Sequence, residues 1–146
     1  MAIRRPGWSE AYGDARLSHL TGVTYPAPPG ALYIALYRGC PLSDGSDAAG
    51  LELLRIGPVT FAAPATDSGA SSAFPVDRYI QPTADPSFTP PGTPAAGLHI
   101  NTQAWGLMTA ANGGVPIYVG MWAGSLLVGV ATSISAAVFR VYAEAA

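Results

Sequence analysis

The sequence has no lysine, a single cysteine and few charges of either sign. Charged residues make up 11% of the 146, where a soluble domain usually carries about 25%. So neutral a surface is poorly solvated by itself and suits cover by another surface. The seven basic residues, Arg4, Arg5, Arg16, Arg38, Arg55, Arg78 and Arg140, are scattered, and the net charge is −2. No basic stripe results, so no nucleic-acid partner is expected. Arg4 and Arg5 are the one basic pair and are too short for an arm that tracks phosphates. Cys40 alone cannot form an intrachain disulfide, and a thiolate metal site would need other ligands. It is expected as a buried or half-buried thiol beside Pro41. The start, MAIRRPGWSEAYGD, lacks the apolar core of a signal peptide, so synthesis in the cytoplasm without export is expected.

Patterns that carry chemistry are also missing. There is no G-x-S-x-G elbow to pair a serine with His19 or His99, and no H-x-x-H or H-E-x-x-H spacing for zinc. The stretch Asp44-Gly-Ser-Asp47 has part of a calcium loop's composition but not its ligand spacing, and reads as a turn. Asp67, Asp77 and Asp85 are the carboxylates among which a glycosidase pair could hide, since their separation depends on the fold. The expectation is a chain with no catalytic, cofactor-binding or metal site.

What is present is an uncharged run, QAWGLMTAANGGVPIYVGMWAGSLLVGVAT, from Gln103 to Thr132. Its length approaches that of a membrane helix, about 20 residues. Pro116 and repeated glycines interrupt it, however, and the side chains alternate. Trp105, Leu107 and Thr109 share one face against Ala104, Gly106 and Met108; Ile117, Val119 and Met121 oppose Tyr118, Gly120 and Trp122. Period two is the signature of strands, and no membrane partner is expected. Asn112-Gly113-Gly114 is a turn signal. The spacing predicts strands over residues 98–109, 115–122 and 125–131, with Ala123-Gly124 turning a hairpin, and a last strand over 137–143. The glycines are not a phosphate cradle, because strand follows strand and no P-loop lysine exists.

Upstream, a short helix is expected over residues 9–20, capped by Ser9 and stopped by Gly22. Strands follow at 31–37 and 53–61, the second disturbed by Gly57-Pro58, with a loop over 40–50 between them. Seven of the 14 prolines fall within residues 62–97, with Phe74, Tyr79, Ile80 and Phe88 as apolar anchors. The segment reads as an excursion, with little regular structure, that packs on a neighbour. The domain reading is therefore one unit, 1–146, with an N-terminal arm and helix at 1–30 and the excursion at 62–97. Trp8, Trp105 and Trp122 could stack a sugar, but at strand positions core or subunit contact is the better expectation. Trp105, Trp122, Phe74, Tyr79 and Phe88 are the candidate core or interface residues. With so little charge guarding a sheet surface, a homo-oligomer, a trimer, is expected.

Four segments resemble a family of small tailed-phage virion proteins, the tail fibre or head decoration proteins. LSHLTGVTYPAPPGALYIALYRGCP, Leu17 to Pro41, resembles the family's helix, "GTxYTAP" turn and "LYxAL…DP" strand. VTF, Val59 to Phe61, resembles a short family strand, and QAWGLMTAANGG resembles its "THFGIFDAATGG" strand and turn. IYVGMWAGSLLVGVATSISAAVFRVYAEA is similar in spacing to its closing strands. The sequence departs from the pattern at Cys40-Pro41 for "DP", Met108-Thr109 for "FD" and Ser133-Ile134-Ser135 for a late "AGD" turn, and the proline-rich excursion replaces the usual linker. The resemblance implies an all-β fold, a small β-sandwich or jelly-roll-like barrel, and a structural role without cofactor. It implies a capsid decoration (cement) protein binding the major capsid protein or other virion proteins. Alternatives are a tail-fibre or tail-tip subunit, or a carbohydrate-binding adhesin module.

Overall fold

The alternation around Trp105 does build a sheet. The computed structural model describes residues 2–67, 77–90, 100–129 and 131–143. In chain order the elements are β1 (Gly7–Trp8), α1 (Glu10–Leu20), β2 (Tyr33–Tyr37), α2 (Ala48–Leu51), β3 (Glu52–Ile56), β4 (Ala65–Asp67), β5 (Asp77–Ile80), β6 (Ser87–Phe88), β7 (Ile100–Met108), β8 (Tyr118–Val128), β9 (Thr132–Ser133), a 3₁₀ turn (Ala136–Phe139) and β10 (Val141–Tyr142). The fold is all-β, with antiparallel sheets and one substantial helix. Among the described residues no helix is long and apolar enough to cross a membrane.

The main sheet runs β1-β8-β7-β2-β3. Its register aligns Leu36 with Trp105 and Leu54, Ile34 with Leu107, Trp105 with Gly120, and Leu107 with Tyr118. Side chains of paired residues share a face, so these large groups form one continuous apolar surface. The opposite face carries Ala35, Tyr37, Ala104, Met108 and Val119 and is covered by Cys40, Ala48 and Leu51. Gly106 lies on that second face, where a β-carbon would come within 2.7 Å of the Tyr37 ring. The turn between β7 and β8 uses Gly113 and Gly114 at φ +63° and +75°, left-handed values that favour glycine. Arg55 holds this turn by donating to the carbonyls of Ala110 (2.7 Å) and Gly113 (2.9 Å).

Three expectations need correction. First, Ala123-Gly124 does not turn a hairpin: residues 118–128 are one strand. Between the pairs Ala104↔Met121 and Thr102↔Leu126, β7 holds only Gln103 while β8 holds Trp122 through Ser125. The extra residues form a bulge. Thr102, fully buried, satisfies it: the Trp122 indole N–H donates to Thr102 Oγ1 at 3.0 Å, and the Thr102 hydroxyl donates to the Leu126 carbonyl at 2.9 Å.

Second, residues 137–143 are not one strand. Val138 N–H bonds the Ser135 carbonyl at 3.0 Å and closes the 3₁₀ turn, which sends both Ala136 and Phe139 inward. Only Val141 and Tyr142 pair, with Ile80 and Tyr79.

Third, the described parts of the proline-rich stretch pack on the chain itself. The small sheet β10-β5-β4 and the pair β6-β9 supply the second layer of a sandwich-like arrangement. Ile80, Val141 and Phe88 join the apolar face of the main sheet. Pro82, Pro86 and Pro90 are buried. Prolines disfavour ladder bonds, but an extended strap needs few of them. Here it is tied down by Thr83 N–H to the Thr60 carbonyl (3.0 Å) and Ala62 N–H to the Gln81 carbonyl (2.9 Å).

Candidate interaction surface

The aromatic residues singled out from the sequence mostly meet inside. Trp105, 2% exposed, and Phe88, 0% exposed, both touch Phe139, at ring-centroid distances of 5.3 and 5.7 Å. Trp122, half-buried, meets the same ring at 5.9 Å. Phe139 thus sits at the junction of the two layers. Sequence alternation had placed it on a strand, so its role as hub was hidden by the 3₁₀ turn. Tyr79 is half-buried on the second layer, with the Arg140 guanidinium over its ring at 4.1 Å. Phe74 lies outside the described residues.

Of the groups considered for chemistry, Asp67, Asp85 and Asp44 are tied into the fold. Asp67 accepts from Arg140 at 3.1 Å and from the Tyr142 hydroxyl at 3.2 Å. Asp85 accepts from the Ala136 N–H at 2.8 Å and so caps the 3₁₀ turn. Asp77 pairs with Asp67 in register on the small sheet. Asp44 Oδ1 accepts from Ser46 N–H at 3.0 Å, with Gly45 at φ +72°, the turn expected there. Cys40 is buried, and burial pushes its thiol upward, away from a reactive thiolate. His19 places Nδ1 3.2 Å from the Val23 carbonyl, and His99 lies outside the described residues. Among the described residues no cluster of His, Cys, Asp or Glu could hold a metal ion.

The surface that stands out is the N-terminal arm with α1. The arm is fastened first: Ser43 N–H donates to the Ile3 carbonyl at 2.8 Å, and Arg4 donates to the Cys40 carbonyl at 2.7 Å and forms an ion pair with Asp47 at 2.7 Å. β1 then pairs with the start of β8. Ser9 caps the helix as expected, its side chain accepting from Tyr12 N–H at 3.3 Å. Gly22, at φ +94°, ends it. Trp8 stacks on Tyr12 at 4.7 Å and meets Tyr118 edge-on at 5.0 Å. Tyr25 closes the far side against Tyr12 and His19.

Beyond this aromatic ledge the helix is open. None of its residues is buried, and Leu17, Leu20 and Val23 are 66, 81 and 56% exposed. Beneath it runs an apolar cleft of about 540 Å³ lined by Trp8, Tyr12, Pro29, Leu32, Leu107 and Ile117. The Trp8 indole N–H is buried and meets no acceptor among the described residues. Arg16 sits over the Trp8 ring at 5.7 Å.

Comparison of the chain with protein-family models, with curated proteins and with solved structures found no match.

Proposed function

We propose that this chain is a non-enzymatic structural protein of a tailed-phage virion, a capsid decoration protein that seats on the particle surface as a symmetric oligomer. The observation that carries the reading is α1. A helix of 11 residues with none of them buried is marginal alone, since isolated helices below about 12–15 residues rarely hold in water. Covering Leu17 or Leu20 would contribute about 1.5–3 kcal/mol each. The low charge of the chain and the ordered resemblance of four segments support the same role. Two of the three tryptophans give little support to an adhesin: Trp105 is inside, and the Trp122 N–H is occupied by Thr102.

The test is cosedimentation with purified particles. Wild type should pellet with them, and a Leu17→Glu/Leu20→Glu variant should keep its melting temperature and stay in the supernatant. Pelleting with isolated tails but not heads would move the role to a tail subunit. Failure of wild type to bind either would overturn the reading.

A further inference from the structure

The two edges of the main sheet are finished differently. β3, at one edge, is five residues long, carries Glu52 and Arg55 locked in an ion pair at 2.5 Å, and stops before Gly57-Pro58. Charges, short length and a nearby proline are how natural sheets keep an edge from pairing with another chain. The other edge is closed in this way only at its start, where β1, two residues long, follows Arg5-Pro6. β1 covers β8 only at Tyr118 and Val119. Along residues 120–128 no described strand pairs with the side of β8 away from β7, and this stretch contains no charged residue and no proline. Thr102 holds this stretch from the core side through the Trp122 N–H and the Leu126 carbonyl.

We propose that residues 120–128 of β8 dock antiparallel on the same edge of a second copy of this chain, forming a two-fold dimer. This deepens the oligomer of the preceding reading and rests on it only for self-association, not for the particle. An uncharged edge is matched by a partner that brings no charge to bury unpaired, and a second copy presents that edge. The edge is also self-complementary. Met121 and Leu127, 48 and 59% exposed, lie on the face away from Trp105, three residues to either side of Gly124. A two-fold axis at Gly124 therefore sets each Met121 opposite the partner's Leu127. Gly124 and Ser125 are small and exposed, and nothing lies within 4 Å of a β-carbon at Gly124, so the backbones can approach. Residues that pair across a two-fold axis do so twice. Among the described strands of the main sheet this is the one long uncharged edge, and pairing it with itself gives two copies, in place of the trimer expected from composition; a three-fold ring would need β8 to pair with the charged edge of β3.

The test is light scattering on wild type and on a Met121→Lys/Leu127→Lys variant at micromolar concentration. Wild type should run at twice the chain mass of 14.9 kDa, and the variant at the chain mass with an unchanged circular dichroism spectrum. A wild-type monomer or trimer overturns the proposal, and so does a folded variant that remains a dimer. Should the variant unfold, Gly124→Cys decides. Mild oxidation should give a covalent dimer, against a wild-type control whose one thiol, Cys40, is buried; no covalent dimer overturns it. A dimer that forms but fails to bind particles would leave this proposal standing and remove the virion reading.

Discussion

Trp105 fills the space that a side chain on Gly120 would need. The two residues are cross-strand partners in β7 and β8, and a β-carbon on Gly120 would collide with the indole. The indole has little room to withdraw, since Tyr118 and Phe139 flank it at 5.7 and 5.3 Å. Gly120→Ala should therefore cost about 1–3 kcal/mol as overpacking, and Trp105→Ala about 3–5 kcal/mol as a lost core side chain. In a Trp105→Ala background, Gly120→Ala should become nearly neutral, because the clash is gone. Urea unfolding of the three variants checks this; additive losses would contradict the packing described.

The strap around Phe88 belongs to the core, so its loss should be a folding defect rather than a binding defect. Phe88→Ala should cost about 3–5 kcal/mol, a large share of the roughly 5–15 kcal/mol that holds a domain. Removing residues 77–90 should leave a chain without a cooperative melt. A deletion variant with a wild-type transition would show that the strap merely lies on the surface.

Thr102 is the residue on which the β8 bulge depends. Thr102→Val keeps the shape but strands the Trp122 N–H and the Leu126 carbonyl, at about 1–3 kcal/mol for each group left buried without a partner. Thr102→Ser, which retains the hydroxyl, should lose much less. Equal losses for the two variants, measured by thermal melts, would assign the effect to the methyl group instead.

That bulge also marks where sequence reasoning stops. Alternation identified both faces of β7 and of the first half of β8, and Ser9 and Gly22 marked the helix ends; Gly57-Pro58, read as a disturbance within a strand reaching residue 61, instead follows the end of β3 at Ile56. Ala123-Gly124 misled because a bulge and a turn use the same small residues; what separates them is Thr102, distant in the chain and adjacent only after folding. Phe139 misled for a related reason. A strand sets residues 137, 139 and 141 on one face, while a 3₁₀ turn stacks 136 on 139, and the alternating apolar pattern admits both. The strap was misjudged because the proline content speaks to ladder bonds and not to burial, whereas Phe88 is held by the rings of the opposite layer. For the candidate surface, the helix was legible, but its lack of cover was not: Leu17 and Leu20 could equally have faced the sheet.

Asp47 gives the fold a defined acid sensitivity. Its carboxyl is held below the usual carboxylate range, first by the Leu42 N–H at 2.8 Å and then by Arg4. A carboxyl whose pKa is lower folded than unfolded stabilises the fold fully above the unfolded value, about 4. The contribution disappears as pH falls through the folded value. The melting temperature should therefore drop below about pH 4, and Asp47→Asn should be less stable at neutral pH with a shallower acid drop. Parallel acid profiles for the two proteins would show that Asp47 does not contribute.

The central claim is that the chain is a component of a virion, held there through α1. A cryo-electron microscopy map of the intact particle tests it most directly. The account expects repeated density for the sandwich-like domain on the capsid surface, with residues 10–20 buried against a neighbouring virion protein. Particles whose maps and mass-spectrometric composition lack the chain, or a bound domain with α1 facing solvent, would contradict it.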